Sequence, residues 1–562
     1  MRARLDGERL ALAALIAAAA GIFLLPLSRL LWTGLSGGIG PLAEALESDA
    51  TRRALWNSLE SGLASALLAL VLGTALAFAI GLTNLRAKGI LVFLLLLPMM
   101  IPPHVTAISW IQALGPSSPV LGALGIAPEI GAAHPLYSRE GVILLLTIQH
   151  TPLVFLVMLA ALRGLPREVS EAARIAGARP GRLLRRILLP LLAPSLVAAF
   201  ALAFVSALGN FGIPALLGIP GRYVTMPVLI WRRLAGFGPS VLTDVAVLAM
   251  ILALIAVLSV ALQTWLQRIV RAGLIGPPQP ALAIGLGRAR PLWEGALAIF
   301  VVATLALPLI SLVATALVPT YGVPLTLATI TWDNFAEVIL RQDATARAFA
   351  NSTLIAGAAA LTLAALSALV AHFGARRERA GRATSGITMT LAEISYAIPG
   401  LVISIAFILV YIRPVLGTGL SLYNTLTLIF LAYLTAYFAV ALKPVAAAAG
   451  QLDPALDDAA RVAGARFARR LFRVHLPLMA PAAASGAILV FLTAYNEITV
   501  SALLWSRGNE TIGTTIFNYE DGGYTTLAAA MSTITVLATV VLMTLLDQLG
   551  RRLPPGVVPW RL

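Results

Sequence analysis

Residues 171–194 read EAARIAGARPGRLLRRILLPLLAP, and residues 458–481 read DAARVAGARFARRLFRVHLPLMAP. The second stretch repeats the first at a constant offset of 287, Glu171 recurring as Asp458 and Pro194 as Pro481, with about 15 of the 24 paired positions identical and no gap. Self-similarity at a fixed offset means one module used twice. Each copy begins polar and basic and then runs into an apolar segment, as a cytoplasmic loop does where it enters a membrane span.

The rest of the chain fits that reading. Its 562 residues are 59% hydrophobic and only 12% charged, against roughly 25% charged in a soluble domain. The net charge of +15 would suggest nucleic acid in a soluble protein. In a polytopic membrane protein, Arg and Lys in cytoplasmic loops explain it, and no nucleic-acid partner is expected. The absence of Cys excludes disulfides and thiolate metal sites. The apolar run from Leu10 to Trp32 exceeds the roughly 7–15 residues of a signal-peptide core and reads as an uncleaved span.

Segments of about 20 apolar residues are long enough to cross a bilayer. Twelve are expected, near 10–33, 57–82, 90–113, 141–162, 187–210 and 242–267, then 293–318, 351–373, 385–411, 421–442, 474–497 and 526–549. The chain divides into a first module at 1–275, a Pro/Gly linker at 276–292 containing Gly276-Pro277-Pro278-Gln279-Pro280, and a second module at 293–562. With the N-terminus inside, about 29 of the 40 Lys and Arg fall on the inner side, including Arg86, Lys88 and the cluster Arg376, Arg377, Arg379 and Arg382. Both termini and both repeated loops are then cytoplasmic. Six spans per half give the halves the same orientation, so a pathway belongs on the axis between them.

Within the loops, Glu171-Ala172-Ala173 and Asp458-Ala459-Ala460 are helix-forming, with an acid favourably placed near the helix start. Gly177 and Gly464 follow six residues after the acid, where a glycine allows a left-handed turn. A topology signal needs charge and not sequence, so it accounts for the arginines but not for the repeated acid, Ala pair and Gly.

This pattern, an acid and two alanines, a Gly six residues on, and Leu-Pro leading into a span, resembles the EAA loop of ABC importer permeases. The resemblance covers roughly 52–270 and 346–550, and the second copy departs from it in using Asp458 for Glu. It implies an all-α polytopic membrane protein with twelve transmembrane helices in two tandem six-helix type I permease modules. It further implies coupling helices, built on Glu171, Ala172, Ala173, Gly177, Asp458, Ala459, Ala460 and Gly464, that dock on two copies of a separate ATPase subunit. Lys88 and Lys443, the only two lysines, lack the Gly-Lys-Ser/Thr context of a phosphate-binding loop, so ATP and Mg are expected on the partner and no cofactor in this chain. The fused modules and the segment Asn496-Glu497-Ile498-Thr499-Val500-Ser501-Ala502-Leu503-Leu504 are similar to iron(III)-type permeases, a group close to permeases for thiamine, phosphonates, sugar phosphates and polyamines. Such relatives imply a bacterial inner membrane, a periplasmic solute-binding protein as partner, and ferric iron as solute.

Candidate pathway residues follow from symmetry. Asn210 and Glu497 are mates under the 287-residue offset, with Asn496 beside the latter, and their distance from the Leu-Pro step places them near the external end of the pathway. Polar groups at helix ends are commonly wet and inert, which is the plainer alternative. Glu393 lies within the ninth span, near Tyr396, and Asp244 near a span end. An intramembrane carboxylate faces a cavity or a partner. Pro98, Pro102 and Pro103 in span three, and Pro399 in span nine, should interrupt those helices. The five histidines show no metal-ligand spacing, so no metal site is assigned. A major-facilitator secondary transporter is the competing class. Gly374, Glu378, Arg379, Gly381 and Arg382 approximate its loop signature, but 81–89 lacks the counterpart and the repeated loop has no role there.

Overall fold

The computed structural model describes residues 7–129, 131–236, 238, 240–269, 284–374, 379–414, 419, 421–453, 455–550, 552, 554 and 557–558. Pro277, Pro278, Pro280, Arg376, Arg377 and Glu378 lie outside the described residues.

The first half comprises α1 (Gly7–Leu35), α2 (Asp49–Leu82), α3 (Lys88–Met100), α4 (Pro103–Leu114), α5 (Arg139–Arg163), α6 (Arg167–Ile175), α7 (Pro180–Leu191), α8 (Ala193–Leu208), α9 (Met226–Leu234) and α10 (Val241–Ile269). The second half comprises α11 (Gly287–Ala316), α12 (Asp343–Gly374), α13 (Arg379–Ala397), α14 (Gly400–Tyr411), α15 (Leu426–Gly450), α16 (Ala455–Val462), α17 (Phe467–Tyr495), α18 (Ile512–Asp521) and α19 (Thr525–Gly550). Among the described residues nine helices are long and apolar enough to span alone, and three bent pairs bring the number to twelve.

Two bends fall at the expected prolines. α3 and α4 meet at 101° around Ile101-Pro102, and the α13–α14 pair at 111° around Ile398-Pro399. Proline removes a donor and its ring clashes with the preceding turn, so the helix breaks there. The third bend was not expected: α7 and α8 meet at 70° beside Leu192, whereas α17 is one helix over the same stretch. Pro190 and Pro194 recur as Pro477 and Pro481, so the prolines do not account for that difference.

The same three-helix core forms in both halves: α2 packs on α5 and α8, and α12 on α15 and α17. Lipid is as apolar as leucine, so the contacts depend on close approach of small residues. On α2, Ser58, Ser61, Gly62, Ser65, Ala66, Ala69, Gly73 and Ala77 are buried. At Gly73 a Cβ would stand 2.7 Å from Val154 Cβ, so only glycine lets α5 come this near. The opening span of each half crosses over. α1 packs on α14 and α15 of the second half, with Thr435 Oγ1 donating to the Ile22 carbonyl (2.9 Å) and Phe23 edge-on to Phe438. α11 packs on α4 of the first half.

Exposed tryptophans lie at span ends. Trp32 and Trp56 flank the α1–α2 connection and Trp332 precedes α12, while Trp265 and Trp293 lie at the opposite side, where α10 ends and α11 begins. Amphipathic indoles favour both membrane–water interfaces.

Candidate functional site: a cavity between the halves and two repeated loops

A cavity of about 500 Å³ lies between the halves. Residues of α8 and α10 wall one side, including Ser206, Gly209, Asn210, Gln263, Thr264 and Gln267. The facing side belongs to the second half: Glu393 and Tyr396 of α13, Ile403 of α14, Tyr437 and Lys443 of α15, and Glu497 with Thr499. Gln267 lies in the last turn of α10, so the cavity reaches toward the membrane side that carries the repeated loops.

The structure therefore brings Asn210, Glu393 and Glu497 together. It does not bring Asn496, which is buried and donates through Nδ2 to Thr539 Oγ1 (3.0 Å), tying α17 to α19. Asp244 also lies elsewhere, accepting from Ser240 at the start of α10. Asn210 and Glu497 occupy equivalent turns. Asn210 Oδ1 accepts from the Ile213 N–H (3.1 Å), and Glu497 Oε1 from the Val500 N–H (2.5 Å), with Oε2 accepting from Ser501 N–H (3.2 Å). Each side chain caps the segment that follows span five while also facing the cavity. Beyond Glu497, Ile498, Val500, Ser501 and Ala502 are buried, as are the first turns of α18.

Between Asn210 and the far end, three rings meet across the seam. Phe211 lies 5.8 Å from Trp231 and 5.5 Å from Phe517, and Trp231 lies 5.9 Å from Phe517. The first two belong to one half and Phe517 to the other.

Three groups of the site escaped the sequence reading. Lys443 stands over the Tyr396 ring, 5.1 Å from its centroid. Hydropathy stopped span ten at 442, but α15 continues to Gly450 and carries the lysine inside. Asn57-Ser58 on α2 and Asn351-Ser352 on α12 do the same work in each half. Asn57 Nδ2 donates to the Val224 carbonyl (2.9 Å) and Asn351 Nδ2 to the Glu510 carbonyl (2.9 Å). Ser58 Oγ accepts from Met226 N–H (2.7 Å) and Ser352 Oγ from Ile512 N–H (3.0 Å). The two serine bonds satisfy orphan N–H groups where α9 and α18 begin, deep in the protein, and the two asparagine bonds satisfy carbonyls just before them. The recurrence of Asn-Ser near the start of both second spans was the signal.

The repeated loops form the short helices α6 and α16. Gly177 and Gly464 take φ of +76° and +74°. Ala178 N–H donates to the Ala173 carbonyl and Ala465 N–H to the Ala460 carbonyl, both at 2.9 Å, closing the same left-handed end turn. Ala172, Asp458 and Ala459 face outward, Glu171 and Ala460 are half-buried, and Ala173 packs inward. Each helix ends on an apolar side chain held almost wholly in solvent: Ile175 is 89% exposed and Val462, its mate, 91%.

A family model for the binding-protein-dependent transport system inner membrane component matches residues 69–272 and again 360–558. The chain belongs to this family. As a binding-protein-dependent inner membrane component it is a multi-pass inner-membrane protein and a transport component. It is similar to a probable ABC transporter permease from Sinorhizobium fredii, 26% identical over 84% of this chain and 82% of the relative. A ferric transport system permease from Actinobacillus pleuropneumoniae is 23% identical over 83% of this chain and 67% of its own. A probable molybdenum ABC transporter permease from Haloferax volcanii is 28% identical over 42% of this chain and 84% of its own. Among solved structures, a bacterial alginate ABC transporter in complex with an alginate-bound periplasmic protein covers 48% of this chain with one of its chains, at 17% identity and a TM-score of 0.39.

Proposed function

We propose that this chain supplies both transmembrane modules of an ATP-driven importer. A separate ATPase, in two copies and holding ATP and Mg, docks on α6 and α16, and an extracytoplasmic protein delivers the solute. The observation that carries this is the pair Ile175 and Val462. Two apolar side chains stand almost wholly in solvent, at matched positions on matched helices, on the side with the excess of arginine. Isolated apolar groups at a protein surface are common. A symmetric pair on the two turns that the duplication has kept fits a symmetric partner. Both loops and both termini are cytoplasmic in this reading, and the module boundaries are 1–275 and 293–562. Asn210, Glu393 and Glu497 line the route, and Phe211, Trp231 and Phe517 close its outer end.

Ferric iron is the proposed solute, supported by the ferric permeases among the relatives. Among the described residues no group of three or more His, Asp and Glu could hold a metal ion. In this reading the delivery protein selects the iron. A second reading is an oxyanion, favoured by Lys443 in the cavity and by the molybdenum permeases. The test is ATPase activity of the reconstituted complex with its delivery protein empty, loaded with ferric iron, or loaded with molybdate. Stimulation by the iron-loaded form alone supports iron. Stimulation by molybdate alone overturns it in favour of the oxyanion.

A further inference from the structure

The two repeated loops are fastened differently. In the second, Asp457 of α16 accepts from Arg470 of α17 (Nη1–Oδ2 3.1 Å), pairs with Arg461 Nε (3.0 Å) and meets His475 Nε2 (3.1 Å). Arg470 then reaches out of its own half. Its Nη2 lies 3.2 Å from Glu8 Oε2, at the start of α1. The Arg470 side chain is only 6% exposed and Glu8 25%. Counting back 287 residues, Asp457, Arg470 and His475 become Ser170, Leu183 and Leu188, so these three positions carry no charge in the first loop. The mate of Glu8 is Gly295. Its neighbour Glu294 binds Arg290 and the Arg86 N–H instead, away from either loop.

α1 leads from this knot to the cavity. It packs along α13, and through its second part along α14. Arg29 Nε donates to the Leu409 carbonyl (3.3 Å), and Thr435 holds the Ile22 carbonyl. α13 and α14 carry Glu393, Tyr396 and Ile403, which form part of the second-half wall.

We infer that α1 is a strut: through the Glu8–Arg470 pair it carries displacement of the second repeated loop to the α13–α14 wall of the cavity. Glu8 and Arg470 are positioning residues for this step. The second loop thus has two mechanical outputs, its own span five and the opening span of the other module. The inference rests on the proposed docking of an ATPase at the loops.

The test uses the full chain in liposomes with its co-purified ATPase. The absence of native Cys lets a single cysteine report, and Ser206→Cys and Glu393→Cys sit on opposite walls. The rate of maleimide labelling is measured before and after trapping with ATP and vanadate. In the otherwise wild-type chain both sites should change. With Glu8→Gln, the change at Glu393→Cys should shrink at least about fivefold while that at Ser206→Cys persists. Glu8→Asp, which keeps the charge, should restore part of it and serves as the reading if Glu8→Gln fails to reach the membrane. Glu294→Gln, the comparable lesion on α11, should alter neither site. Unchanged responses at both sites in Glu8→Gln overturn the strut, as does an equal loss from Glu294→Gln. No response at either site in the otherwise wild-type chain overturns the docking reading beneath it.

Discussion

The first and second repeated loops share a backbone and differ in what holds it. Both end on a left-handed glycine with the same closing hydrogen bonds, and both present an apolar side chain to solvent. Behind α6, the buried Leu183 and Leu188 pack as hydrocarbon. Behind α16, the same positions are Arg470 and His475, gathered on Asp457. Duplication has kept the exposed turn and let the support diverge. Support can be apolar or ionic, whereas a positive φ leaves little choice of residue.

The largest way to break this comparison is to give the second loop the support of the first. Arg470→Leu removes the buried guanidinium that Asp457 and Glu8 share, and losing one member of a buried ion pair costs up to about 3–5 kcal/mol, less where Arg461 and His475 still face Asp457. The expected outcome is a marked drop in denaturant midpoint, greater than that of Leu183→Ala on the same assay.

A smaller effect, equal in the two halves, is expected from Ser58→Ala and Ser352→Ala. Each leaves a buried N–H, of Met226 or Ile512, without its acceptor, at about 1–3 kcal/mol. Clearly unequal losses would show that the segments after span five are not held alike.

Gly177→Val and Gly464→Val come next, at about 1–2 kcal/mol each for forcing a side chain into a left-handed turn. A Cβ meets nothing within 4 Å at either site, so the cost is backbone strain and not a clash. Asparagine, which tolerates that conformation, should come closer to wild type than valine in coupled ATPase and uptake. The double valine variant should retain membrane insertion and lose coupling.

Ile175→Ser and Val462→Ser should scarcely move stability, within about 0.5 kcal/mol. Both should weaken co-purification of the ATPase, which would sharpen the symmetry that the two loops keep.

Much of this was written in the chain and some was not. Spans were legible because hydrocarbon leaves the backbone no partner outside the helix, and the breaks at Pro102 and Pro399 because proline acts locally. The loop turns were legible from Gly177 and Gly464 for the same local reason. The crossing of α1 to the other half was not, because Ile22 and Phe23 look like any apolar residue until Thr435 and Phe438 are set beside them. Arg470 read as one more topology arginine, and only the fold shows it turned inward. Lys443 was missed because a hydropathy window ends a span at a charge, whereas a charge facing a cavity lies inside one. The bend between α7 and α8 has no marker that the straight α17 lacks.

Glu393, Lys443 and Glu497 all stand on one wall of the cavity, opposite amides and hydroxyls. A homodimer could not be built this way. Two-fold symmetry would print every charge twice, setting Lys443 against its own copy and each glutamate against a glutamate across the cavity. Carrying both modules on one polypeptide removes that constraint: the cavity has a charged bank and a neutral one, and either bank can mutate without the other following.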